Sequence, residues 1–146
     1  MENQIFFQSP IPEDRQPREE VIFAYLKHCQ HPNDERYEWA GIIMTGVTFY
    51  TDHFQQWDLI LELVERAPND DQVLQDIAAG PIEGFLGRFD NQVIERVERE
   101  AAINDKFRRV LSGVWKHGMS DATWNRVRTI QKTANNPLPE AVSFEK

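Results

Sequence analysis

The stretch Val93-Ile94-Glu95-Arg96-Val97-Glu98-Arg99-Glu100-Ala101 decides the fold class. Its apolar residues Val93, Ile94, Val97 and Ala101 recur at helical spacing, while Glu95, Arg96, Glu98, Arg99 and Glu100 cover the other side. Strand alternation would mix apolar and charged residues on both faces. Asp90, just upstream, is placed to cap this helix.

The same period runs both ways along the chain. Upstream, Val21, Ile22, Tyr25, Leu26 and Cys29 predict a helix from Arg18 that ends near His31-Pro32. Asn33 or Asp34 offers the next cap, for a helix with Trp39, Ile42, Ile43, Val47 and Tyr50 inward; Gly41 and Gly46 weaken its propensity. A third helix from Asp52 carries Trp57, Ile60, Leu61 and Val64, and stops at Pro68. Asn69-Asp70-Asp71 caps a short helix lined by Val73, Leu74, Ile77 and Ala78, which Gly80-Pro81 is expected to terminate. Pro81 then opens a helix from Ile82 to Phe89.

Downstream, Asn104 or Asp105 begins a helix through Phe107, Val110, Leu111, Val114 and Trp115, with Gly118 beyond its end. Ser120 caps the last helix, carrying Trp124, Val127 and Ile130. The expectation is an all-α single domain of seven to eight short helices stacked as antiparallel helical hairpins, with no strand. Residues 18–134 form that domain, between an extended N-terminal arm over 1–17 with Pro10, Pro12 and Pro17, and a C-terminal tail over 135–146. Ile5, Phe6 and Phe7 are expected to tuck onto the body, and the four tryptophans, Trp39, Trp57, Trp115 and Trp124, to lie in the core.

Composition narrows the function classes. The chain has 146 residues, 40% of them apolar and 11% aromatic, enough for a folded core. A lone cysteine, Cys29, forms no intramolecular disulfide and favours a reducing, cytoplasmic setting. The first seven residues lack the basic and apolar regions of a signal peptide, and no run of about 18 apolar residues suggests a membrane span. The net charge of −8 disfavours anionic partners, but it is unevenly distributed. Residues 1–103 carry eight Lys and Arg against twenty Asp and Glu, whereas residues 104–146 carry eight against four.

The run Ile77-Ala78-Ala79-Gly80-Pro81-Ile82-Glu83, then Val97-Glu98, Lys106-Phe107-Arg108-Arg109, Leu111-Ser112-Gly113-Val114-Trp115 and Trp124-Asn125-Arg126-Val127, resembles an uncharacterised family of small all-helical bacterial domains. The resemblance covers residues 55–130, and its most specific parts are Ala-Ala-Gly-Pro-Ile-Glu and Gly-Val-Trp. It implies an all-helical fold and a bacterial origin, with no activity attached.

Chemistry-bearing residues mostly have ordinary explanations. His28, Cys29 and His31 are three donors within four residues, yet Cys29 points about 100° away from His28 on a helix and no fourth ligand lies nearby, so no metal is expected. The imidazoles suit a helix C-terminus. His53 and His117 lack the partners of a hydrolytic zinc or deaminase motif. The glycines at 80, 84 and 87 make no phosphate-cradling pattern, and no cofactor is implied. Glu83, in a first helical turn, is placed to accept backbone N–H bonds or to pair with Arg108 or Arg109.

Elimination leaves a non-enzymatic protein-interaction domain whose contact surface is the acidic helical face over residues 58–100 or a groove between hairpins; composition permits a basic protein partner, as for an immunity- or antitoxin-like protein. Glu62, Glu65, Asp70, Asp71, Asp76, Glu95 and Glu98 would steer that encounter. The alternative is nucleic-acid binding by a helix-turn-helix-like pair over 104–116 and 120–133, through Arg126, Arg128 and Lys132. A small enzyme with a site assembled from distant helices is the third reading.

Overall fold

The computed structural model describes residues 6–7 and 16–142. The chain divides into two compact units, Met1–Asp52 and His53–Lys146. Both are helical, the all-α class that the periodicity predicts. The exception is a two-residue antiparallel pairing of β1 (Phe6–Phe7) with β2 (Gln16–Pro17), in an arm expected to hold no strand. A pairing this short leaves no period-2 pattern to detect. Most of the arm, Ile5 included, and the side chains of Phe6 and Phe7 lie outside the described residues.

In the first unit, α1 (Arg18–Gln30) buries Val21, Ile22, Tyr25, Leu26 and Cys29, the predicted face. Asp34 caps a 3-10 turn, Glu35–Tyr37, by accepting the Arg36 backbone N–H at 3.0 Å. The helix α2 (Glu38–Tyr50) follows and packs on α1. Its buried face is Ala40, Ile43, Met44 and Val47, while Ile42 is 64% exposed, a correction to the predicted stripe. Ala40 and Met44 are four apart and flank Ile43, so the stripe passes through them and leaves Ile42 outside. Gly41 brings the helices close: a Cβ there would meet the His28 ring at 3.3 Å.

The second unit contains α3 (His53–Arg66), α4 (Asp71–Ile77), α5 (Glu83–Phe89), α6 (Ile94–Ile103), α7 (Asp105–Leu111) and α8 (Asp121–Gln131). Helix α3 packs on α4, α5 and α7, and α6 and α7 pack on each other and on α8. Phe85 and Phe107 are fully buried against the half-buried Trp57, with ring centroids 5.6 Å away in both cases. Such pairs contribute about 0.5–1.5 kcal/mol each beyond area burial. Three caps form as the sequence predicts: Asp70 accepts from Gln72 and Val73, Asn104 from Phe107, and Ser120 from Thr123.

Three expectations about this unit are corrected. Gly80-Pro81 does not end α4, because the chain continues into α5 through a π-helical segment, Ala78–Ile82. In a regular helix the Pro81 ring would collide with the carbonyl four residues back, and the wider π turn accommodates it. Asp90 does not cap α6. It takes φ 49° at the start of a 3-10 turn, Asp90–Gln92, and its carboxylate accepts the Ser120 N–H at 2.9 Å. Helix α7 ends at Leu111 rather than near Lys116; the chain leaves it through tighter bonds from the Gly113 N–H to Val110 and the Val114 N–H to Leu111, and the buried Gln131 amide donates to the Leu111 and Val114 carbonyls at 2.9 Å each.

Residues 135–142, read as a tail, carry a buried Leu138 whose N–H donates to Ser112 Oγ at 2.9 Å. Among the described residues no helix is long and apolar enough to cross a membrane.

Candidate functional site

The π segment sets Glu83 at the head of α5, half-buried, facing the loop over residues 112–120. Glu83 Oε2 accepts the Trp115 backbone N–H at 2.8 Å. Burial pushes the Glu83 carboxyl above its ordinary range, opposed by that hydrogen bond and by the nearby His117. The expected alternative, an ion pair with Arg108 or Arg109, does not form. Arg108 pairs with Asp105, and Arg109 with Asp71 at 2.8 Å. Glu83 does accept a backbone N–H, but from a loop thirty-two residues away rather than from its own helix.

The loop is fixed along its length. Gln75 donates to the Gly113 carbonyl at 2.9 Å, and a Cβ on Gly113 would lie 2.5 Å from Gln75 Oε1. The Trp115 indole N–H donates to the Glu140 carbonyl at 2.9 Å. Gly118 has φ 79°, a conformation suited to glycine, and packs beside Gly87. Trp115 is therefore held by both of its N–H groups, yet it is 51% exposed. None of the tryptophans is fully buried: Trp39, Trp57 and Trp124 are intermediate, which corrects the expectation of four core indoles. An indole carries a polar N–H that draws one edge of the ring toward a partner or the surface.

The model of a family of unknown function, DUF6869, matches residues 27–135. The chain belongs to DUF6869. No curated protein and no solved structure matches it. The DUF6869 match extends the resemblance read over residues 55–130 into the first unit. The two stretches most specific to that resemblance, Ala78-Ala79-Gly80-Pro81-Ile82-Glu83 and Gly113-Val114-Trp115, meet at the Glu83–Trp115 bond.

The acidic residues singled out in the sequence are dispersed and largely engaged. Glu62 pairs with Arg66 at 2.9 Å, and Asp71 with Arg109. Asp70 caps α4, while Asp76 accepts from Gln72 at 2.9 Å. Glu98 takes two bonds from Arg126, at 2.8 and 2.6 Å. Glu95 is exposed, with Arg99 4.0 Å away, and Glu65 is exposed near Lys106.

The basic residues of α8 are similarly arranged. Arg126 is held by Glu98; Arg128 donates to Gln131 and to the Val142 carbonyl and lies over the Trp124 ring; Lys132 is exposed. The connection from Leu111 to Asp121 is longer than the short turn of the helix-turn-helix outline. Cys29 is buried, His28 packs on Gly41 and His31 is exposed. His53 is half-buried, with Nδ1 3.1 Å from the Arg96 guanidinium, and His117 is exposed in the Trp115 loop.

Proposed function

We propose that this DUF6869 chain is a cytoplasmic protein-interaction domain with Trp115 as the anchor of its contact surface. The observation that carries the reading is the combination of 51% exposure with bonds to both N–H groups of Trp115. Tryptophan is among the residues that dominate interface energies, and one already immobilised loses little conformational entropy on binding. The acidic face contributes less as a direct contact than its composition suggests, because Glu62, Asp70, Asp71, Asp76 and Glu98 have partners within the chain. The net charge of −8 still favours encounter with a basic partner, as in immunity- or antitoxin-like neutralisation.

A second reading rests on Glu83. A half-buried carboxyl held above its ordinary range, beside a π segment and an exposed indole, is suited to general acid catalysis. Glu83→Gln separates the two. Glutamine still accepts the Trp115 N–H, so a binding surface survives the substitution and an acid catalyst does not.

The test is a pull-down from lysate of the source organism, with and without nuclease, using the wild-type chain and Trp115→Ala at two salt concentrations. A stoichiometric protein partner is expected with the wild type, and the variant should bind it more weakly by about 2 kcal/mol, roughly thirtyfold. Equal retention by both proteins contradicts the role of Trp115. Loss of every partner on nuclease treatment contradicts the protein-interaction reading and favours nucleic acid.

A further inference from the structure

A cleft of about 330 Å³ lies within the second unit, between α7, Asn69 in the loop before α4, and residues 134–136 after α8. Three cations line it, Lys106, Arg108 and Arg109, against one carboxylate, Asp105. Asp71 and Glu65, outside the lining, also act on Arg109 and Lys106, so the positive charge of the cleft is partly offset. We propose that the cleft binds a small ligand through a doubly charged oxyanion head, a phosphate monoester or a dicarboxylate. Trp115 does not line this cleft.

The cations are held in place before any ligand arrives. Arg109 donates through Nε to the Asn136 carbonyl at 2.7 Å and through Nη2 to Asp71 at 2.8 Å. Those bonds occupy two of its five N–H donors and leave the rest of the guanidinium fork available. Lys106 Nζ donates to the Ala67 carbonyl at 2.6 Å, with the Glu65 carbonyl at 3.4 Å. Its hydrogen bonds are thus to neutral oxygens; burial lowers its affinity for the proton, and the nearby Glu65 carboxylate opposes that effect, as a bound anion would. Arg108 is 20% exposed and pairs with Asp105, whose side chain is 90% exposed and competes with a ligand for the same guanidinium. The exposed amides of Asn69, Asn135 and Asn136 add donors at the rim. Bidentate arginine with a neighbouring lysine is the donor set that recognises oxyanions, and the volume suits a small molecule.

The competing carboxylate makes the test two-sided. The full chain is titrated at low chloride with inorganic phosphate and, separately, with succinate, and amide shifts are followed by NMR. Saturable shifts with Kd below about 10 mM are expected at Asn69, Lys106, Arg109, Asn135 and Asn136 with at least one probe. Tighter binding of phosphate assigns the head to a phosphoryl group, and tighter binding of succinate assigns it to carboxylates. Arg108→Gln should weaken binding at least fivefold, and Asp105→Asn should tighten it about threefold, since it removes the competitor and keeps the cations. Shifts that fail to saturate with both probes, that spread over the whole chain, or that are unchanged by both substitutions overturn the proposal. Asp105 is 90% exposed, so Asp105→Asn is not expected to unfold the chain, and it keeps the test decisive beside Arg108→Gln, whose side chain is 20% exposed.

Discussion

Gly87 lies in α5, where replacement of glycine by alanine ordinarily stabilises a helix by about 0.5–1 kcal/mol. Here a Cβ would fall 2.6 Å from the His117 carbonyl oxygen and 3.6 Å from Gly118 Cα. Both obstacles are backbone, so the loop over residues 112–120 must shift. That loop is tied to Gln75, Gln131, Glu83 and Asp90, which gives it little room to move. Overpacking against such a constraint costs about 1–3 kcal/mol and outweighs the helix gain. Gly87→Ala is therefore expected to destabilise by about 1–2 kcal/mol, a fall in Tm of about 2–8 °C for a chain of this size. Differential scanning calorimetry or a circular-dichroism melt reads the change directly. A rise in Tm would refute the packing of the loop onto α5, because only helix propensity would then be acting.

The same corner yields two further predictions. The Glu83 carboxyl, raised above the ordinary glutamate value of 4.5, binds its proton more tightly in the folded chain than in the unfolded one. Its favourable contribution is complete below 4.5 and is lost as pH rises through the higher folded value. Glu83→Gln should thus be at least as stable as the wild type at pH 7, with a flatter decline of Tm above pH 4.5; a variant that is less stable at pH 7 and titrates unchanged contradicts the assignment. Gln131→Ala removes the buried donor to the Val114 carbonyl and one of two donors to the Leu111 carbonyl, which keeps the Val114 N–H, and should destabilise by about 1–3 kcal/mol in chemical denaturation. A loss below about 0.5 kcal/mol would show that these bonds do not hold the end of α7.

The parts of the fold legible in the sequence are those decided within a few residues. Asp70, Asn104 and Ser120 each cap the helix that begins beside them, and the apolar spacing along α1 and α6 matches their buried faces. Reading fails where a distant group decides. Asp90 has the sequence position of a cap, but its carboxylate is taken by Ser120, thirty residues on. Gly80-Pro81 is a stop signal under regular helix geometry and ceases to be one when a π turn makes room for the ring. Val114 keeps the helical spacing of Phe107, Val110 and Leu111 although α7 has already ended, because Gln131 takes over the carbonyls there. Glu83 drew notice as a helix-start carboxylate, but its partner is a backbone N–H, which every residue except proline carries and which leaves no mark in a sequence. Trp115 has the apolar spacing of a core residue, but α7 ends at Leu111 before reaching it, and its two N–H groups take the distant partners Glu83 and Glu140.

The central claim is that a partner covers the Trp115 corner, and the most direct measurement is amide hydrogen–deuterium exchange of the chain alone and with its captured protein partner. The account predicts slowed exchange over residues 113–118 and 83–87 on binding, with the basic face of α8 little changed. Protection confined to the acidic residues of α3 and α6, or to α8 around Arg126 and Arg128, with the Trp115 loop unaffected, would contradict it.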